Sequence, residues 1–172
     1  MNSVKIANKV FNIIAKNEKE LTKLGLDKYK DFTNFLKIII GDLGVSLGYE
    51  TATNCSKEYN EKEWLYDLVW YKMDDKIEPS VLKSVDLVLE TEISGKKFSD
   101  FKIDFDKLLI ATNSTKIMLF SKVSKNVLSE IINYVQNTLN RFDDLKKGEQ
   151  VYLIFWDENN TGKFEMLKIE KQ

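Results

Sequence analysis

The chain has 172 residues, 43% hydrophobic and 31% charged, with 26 basic and 27 acidic side chains and a formal net charge of −1. That length suits one domain with a substantial core, and the near-neutral balance excludes the strongly basic class of nucleic-acid binder. A single cysteine, Cys55, excludes an internal disulfide framework, the absence of histidine excludes His-ligated zinc and a Ser-His-Asp triad, and no apolar run is long enough to span a membrane.

From Ser3 to about Leu24, Val4, Ile6, Val10, Ile13, Ile14, Leu21 and Leu24 recur at helical spacing, with Gly25 as a stop. A second helix is predicted from Asp27 to about Leu43, where Phe32, Phe35, Leu36, Ile39, Ile40 and Leu43 make a stripe broad enough to pack on a sheet. Gly41, Gly44 and Gly48 then mark a loop into a predicted strand, LGYETAT. These glycines lack the GK[ST] that completes a phosphate-binding loop, and the helix-to-strand order is the reverse of the one such a loop needs. Two strands follow, WLYDLVWYK from Trp64 and VDLVLETEI to Ile93, joined by MDDKIEPSVLKS. Beyond Ser94 and Gly95, Phe101, Phe105, Leu108, Leu109 and Thr112 define a helix ending near Asn113, capped by Ser99 or Asp100. TKIMLFS is a short apolar strand, so strand, helix and strand form a right-handed crossover. Asn126 to Phe142 carries Leu128, Ile131, Ile132, Val135 and Leu139 at helical spacing, and VYLIFW, DENNTG and KFEMLKIE form a terminal hairpin.

The order predicts an α/β protein with a mixed central β-sheet flanked by helices. Residues 1–172 form a single domain: N-terminal helices over 1–44, a core with the candidate site over 45–121, and a C-terminal helix and hairpin over 122–172. The N-terminus lacks the apolar core and cleavage site of a signal peptide, so a cytoplasmic location is expected.

Without histidine, acid–base or metal chemistry falls to carboxylates, lysines, tyrosines and water, and all-oxygen ligation favours magnesium, manganese or calcium. The two central strands carry acids among apolar residues: Asp67 in the first, Asp86, Glu90 and Glu92 in the second. An ionised carboxylate there is costly unless a hydrogen bond, a cation or a metal compensates it. If the strands pair antiparallel with numbers summing to 157, Asp67 lies opposite Glu90 and Lys72 opposite Val85. Alternation puts Glu92 on the face of Glu90, so three carboxylates could converge on one divalent cation. The plainer reading of Glu90 and Glu92 is a solvent face, with Leu87 and Leu89 inward. Asp86 reads as a turn or strand-end residue, and Glu20 and Glu50 as exposed acids.

Asp67 near the start of one strand, E-T-E at the end of the next, then a helix and another strand resemble the PD-(D/E)xK nuclease superfamily, the restriction-endonuclease-like fold. The resemblance covers roughly residues 47–121. It implies that Asp67 and Glu90 are the metal-holding acids, that Glu92 stands where the motif lysine is usual, as in some type II restriction endonucleases, and that Tyr66 stands where a proline would. Some members recruit a lysine from the next helix instead, for which Lys107 is the candidate, although it falls opposite the apolar stripe of its helix. The implied activity is Mg²⁺- or Mn²⁺-dependent cleavage of DNA by a homodimer. The alternatives are a non-catalytic interaction or DNA-binding module in a larger defence or DNA-processing assembly, or a nuclease acting on RNA or branched DNA. Lys96, Lys97, Lys102, Lys116, Lys122 and Lys125 could line a phosphate-facing surface but read equally as solvated, and Trp64, Tyr66, Trp70 and Tyr71 read as packing residues.

Overall fold

The computed structural model describes residues 1–24, 28–55, 64–93, 98–121, 125–157 and 163–172. In chain order it contains α1 (Ser3–Lys16), α2 (Glu18–Leu24), α3 (Tyr29–Ser46), β1 (Glu50–Thr53), β2 (Leu68–Asp74), β3 (Val81–Glu92), α4 (Phe98–Leu109), β4 (Thr115–Phe120), α5 (Lys125–Arg141), β5 (Gln150–Asp157) and β6 (Lys163–Glu170). The expected stop at Gly25 and start at Asp27, the turn at Ser94 and Gly95, and residues 158–162 of the terminal turn lie outside the described residues, as do Lys96, Lys97 and Lys122.

The six strands lie side by side in chain order, antiparallel at β1–β2, β2–β3 and β5–β6 and parallel at β3–β4 and β4–β5. Parallel neighbours need a long crossover, which α4 and α5 supply. One face is covered by α1, α2 and α3: Ile6, Val10, Ile14, Leu21, Phe32, Leu36 and Ile40 pack on Leu68, Trp70, Leu87, Leu89, Ile117, Leu119, Tyr152 and Ile154. The other is covered by α4 and α5: Phe101, Phe105, Leu108, Ile131, Val135 and Leu139 pack on Val88, Met118, Phe120, Val151, Leu153 and Phe155. The α/β architecture with a mixed sheet between helices is therefore as the sequence predicts. Both faces of the central strands are buried, which explains why β4 and β5 read as unbroken apolar runs.

Several local expectations are corrected. The first predicted helix is two, because Asn17 caps α1 and its amide donates to the Ile13 carbonyl. Gly41 and Gly44 lie within α3, not in a loop. Gly44 is there because a Cβ would come within 2.5 Å of the Trp70 indole, so α3 approaches β2 closely. Ser99 and Asp100 are inside α4, which begins at Phe98, so neither is its cap. β3 is interrupted at Asp86 rather than ended by it: Trp70 pairs with Leu87 and Tyr71 with Val85, which leaves Asp86 as the extra residue of a bulge. The sum of 157 holds from Leu68–Leu89 to Trp70–Leu87, and beyond the bulge Lys72 pairs with Ser84, not Val85. Among the described residues no helix is long and apolar enough to cross a membrane.

Candidate functional site

In a sheet whose central strands run parallel, the carboxyl ends of those strands are where a crevice opens. The end of β3 bearing Glu90, Thr91 and Glu92 is such a place, and the antiparallel β2 begins there with Asp67 immediately before it. The preserved register at Leu68–Leu89 brings Asp67 alongside Glu90, as expected.

Asp67 leans toward the α3 face. Its Oδ2 accepts from the Thr91 backbone amide at 2.8 Å and the Thr91 hydroxyl at 2.6 Å, and its Oδ1 accepts from Lys37 Nζ at 2.7 Å. Lys37 also donates to Asn54 Oδ1 at 3.1 Å. Burial works to raise the Asp67 carboxyl, but the charge and hydrogen bond of Lys37 and the two bonds from Thr91 outweigh it and hold the group below its usual value. Asp67 is thus a fixed carboxylate.

Glu90 shares the parity of Val88 and faces α4. It is only 2% exposed, so it is not on a solvent face. Lys107, on α4, reaches down to place its Nζ 3.0 Å from Glu90 Oε1 and 2.8 Å from Asp104 Oδ1. The side chain of Lys107 is 32% exposed, so its ammonium meets both acids at the edge of solvent. A lysine on the flank of an apolar stripe has a stem long enough to lie along the packing interface while its ammonium meets an acid from the strand below. Glu90 Oε1 is sealed from solvent and, despite that short approach, receives no hydrogen bond of acceptable angle. Burial pushes the Glu90 carboxyl up to about 8, the negative charge of Asp67 adds to the rise, and Lys107 opposes it. Lys107 is raised in turn, since Asp104 and Glu90 outweigh the effect of its partial burial. Half-buried Tyr66 is raised by burial and by the charge of Glu90.

Glu92, at the end of β3, lines a pocket of about 440 Å³ with Lys30, Thr33, Asn34, Lys37 and Asp67. Asp67 and Glu92 therefore open on the α3 side, whereas Glu90 is held on the α4 side. The convergence of three carboxylates is not realised: among the described residues no three His, Cys, Asp or Glu side chains gather closely enough to cage a metal. Two carboxylates within each other's field remain, and a hard cation of the magnesium type is commonly held by one or two carboxylates, with substrate and water supplying the rest.

Lys37, Thr91, Asn54 and Asp104 were not singled out from the sequence. Lys37 alone had a signal, because it precedes Gly41 and Gly44 by four and seven residues and so lies on the ridge of α3 that comes closest to the sheet. The other expected contributors lie elsewhere. Glu20 and Glu50 are exposed, Lys102 pairs with Asp106 on α4, and buried Lys116 pairs with Glu149. The Lys125 side chain falls outside what is described. Trp70 and Tyr71 are packed in the core as expected, while Trp64 is partly exposed and lies against Tyr71 with ring centroids 4.7 Å apart. No protein-family model matches this chain, and neither the curated proteins nor the solved structures include a match.

Proposed function

We propose that the chain is a divalent-metal-dependent nuclease that hydrolyses DNA phosphodiester bonds, of the restriction-endonuclease-like type. The single observation that carries this reading is the buried Glu90 with Lys107 Nζ at 3.0 Å, beside an Asp67 fixed at the start of the paired strand. The order helix, strand, acid-bearing hairpin, helix, strand supports it, because it resembles the PD-(D/E)xK core. The lysine recruited from the following helix supports it too.

In this reading Asp67 would hold Mg²⁺ or Mn²⁺ together with Glu90, turned away from Lys107 and towards the ion. The bound ion would neutralise charge on the phosphate and lower the pKa of a nearby water. The chain's own residues do the rest. Thr91 and Lys37 hold the Asp67 carboxylate in one orientation. Lys107 offsets the charge of Glu90 and offers a cation to the phosphate. Glu92, in the pocket with Asp67, is placed to orient the attacking water or accept its proton, the role left open where the motif lysine is missing. A homodimer, cutting one strand per copy, and a cytoplasmic location belong to the same reading.

Calorimetric titration with Mn²⁺ and incubation of plasmid DNA with Mg²⁺ or Mn²⁺ test it. Binding abolished in Asp67→Asn and Glu90→Gln, together with nicking of the plasmid, is the expected result. Intact plasmid and no Mn²⁺ heat sink the proposal.

A second reading is favoured by one observation: each acid already has a lysine of the same chain as counter-ion, Lys37 for Asp67 and Lys107 for Glu90. A site neutralised in this way also suits a non-catalytic module that binds DNA or a protein partner. It predicts DNA binding or partner capture indifferent to divalent cations.

A further inference from the structure

We propose that the flank of α3 carrying Lys30, Thr33, Asn34 and Lys37 is the wall against which the phosphodiester backbone of the substrate strand lies. This rests on the nuclease reading and adds to it the residues that seat the strand. From Lys30 to Lys37 the steps through Thr33 and through Asn34 are each of three or four residues, so the four share one side of the helix. All four line the pocket that also contains Asp67, Asn54, Thr91 and Glu92. Together they present ammonium, hydroxyl and amide groups, the donor set that proteins use on phosphates. Lys30 is exposed and Thr33 and Asn34 are half-buried, whereas Lys37 is buried at the inner end. The wall thus runs from solvent down to the acids. At about 1.5 Å per residue, Lys30 and Lys37 stand about 10 Å apart along the helix. That span exceeds the distance between successive phosphates along one strand, so the wall is long enough to meet two neighbouring phosphates. A single free phosphate would use only part of such a wall.

Charge makes the proposal specific. Two lysines on the wall face two acids, Asp67 and Glu92, so the pocket has little net attraction for a polyanion until a divalent cation offsets the acids. The strand and the cation should therefore bind with positive coupling, each raising the other's affinity by the same factor.

The test uses fluorescence anisotropy of a labelled DNA duplex with the full chain, with Ca²⁺ in place of Mg²⁺ and salt varied. Wild-type protein should bind more tightly with Ca²⁺ than without. Lys30→Ala should weaken binding about fivefold and reduce the slope of log affinity against log salt by about 1, as expected for one lost phosphate contact. Asn34→Ala should weaken binding without changing the slope, since it removes no charge. Both variants should melt like wild type and take up Mn²⁺ unchanged. If both bind DNA as wild type does, with the same slope, the wall is wrong even where plasmid is cut. If both weaken binding while plasmid stays intact, the nuclease reading fails alone. A wild-type chain that binds no duplex with Ca²⁺ overturns both.

Discussion

Lys107 Nζ on α4 lies 3.0 Å from Oε1 of Glu90, a carboxylate that β3 buries to 2% exposure. An acid in that position is tolerated as long as it carries either a proton or a cation beside it. At neutral pH Glu90, whose carboxyl is pushed up to about 8, is mostly protonated, and the lysine matters most above that value. Lys107→Met should therefore cost on the order of 1 kcal/mol near pH 6 and two to three times that near pH 9. Urea unfolding at the two pH values measures this, and Lys107→Arg should recover most of the loss at pH 9. An equal loss at both pH values would show that the pair does not behave as described.

The same carboxyl predicts how the wild-type fold responds to alkali. Its folded value near 8 stands above the ordinary 4.5, so the stability tied to its protonated form is fully present below pH 4.5 and is lost as pH rises toward and through 8. Glu90→Gln mimics the protonated form. Between pH 5 and 9 its unfolding free energy should stay flatter than that of wild type, with a gap at pH 9 of a few kcal/mol. Chemical denaturation at four or five pH values across that range is sufficient, and parallel curves would refute the assignment.

Asp67 behaves in the opposite sense. Its folded carboxyl lies below 3.8, so its contribution is present above that value and is lost as pH falls through the folded one. Thr91→Val removes the hydroxyl bond to Oδ2, retains the backbone bond, and should cost about 1–2 kcal/mol at pH 7. The deficit against wild type should narrow as pH falls through the lowered value of wild-type Asp67, below which that carboxyl also carries its proton. Thr91→Ser should lie close to wild type throughout.

Cation binding to the folded chain alone should raise its stability. If Asp67 and Glu90 are the ligands, Mn²⁺ at about 100 times its dissociation constant adds about 2.7 kcal/mol to wild-type protein. Asp67→Asn and Glu90→Gln should gain almost nothing. A thermal shift of equal size in all three proteins would place the cation elsewhere.

Gly44 tests the close approach of α3 to the sheet. Alanine in an open helix position would stabilise by about 1 kcal/mol relative to glycine. Here the added Cβ would meet Trp70 Nε1, Cε2 and Cδ1 at 2.5–2.8 Å, and Trp70 is fully buried. Gly44→Ala should instead destabilise by about 1–3 kcal/mol. A raised melting temperature would show that the helix stands farther off. Because Lys37 lies on the same ridge, a displaced α3 should also weaken its bond to Asp67.

The sequence by itself determined the layered α/β plan, since period-2 and period-3.6 patterns are local properties that survive without tertiary contacts. Alternation determined which face Leu68, Trp70, Leu87 and Leu89 share, whereas the register, taken as a condition from the sequence, was fixed at Leu68–Leu89 by the structure, since a two-residue slip would bury the same side chains. Asp67 and Glu90 stood out for a related reason: an acid within an apolar strand, as Glu90 is, or immediately before one, as Asp67 is, breaks a local rule. Only the tertiary structure decided which way each acid leans. The bulge at Asp86 has no composition of its own, and Thr91 could reveal itself as the partner of Asp67 only once both strand ends were placed. Lys37 and Lys107 were decided in the same way. A lysine reads as solvated from its helix alone, and its burial against an acid depends on how closely that helix packs, which at α3 is set by Gly44 against Trp70.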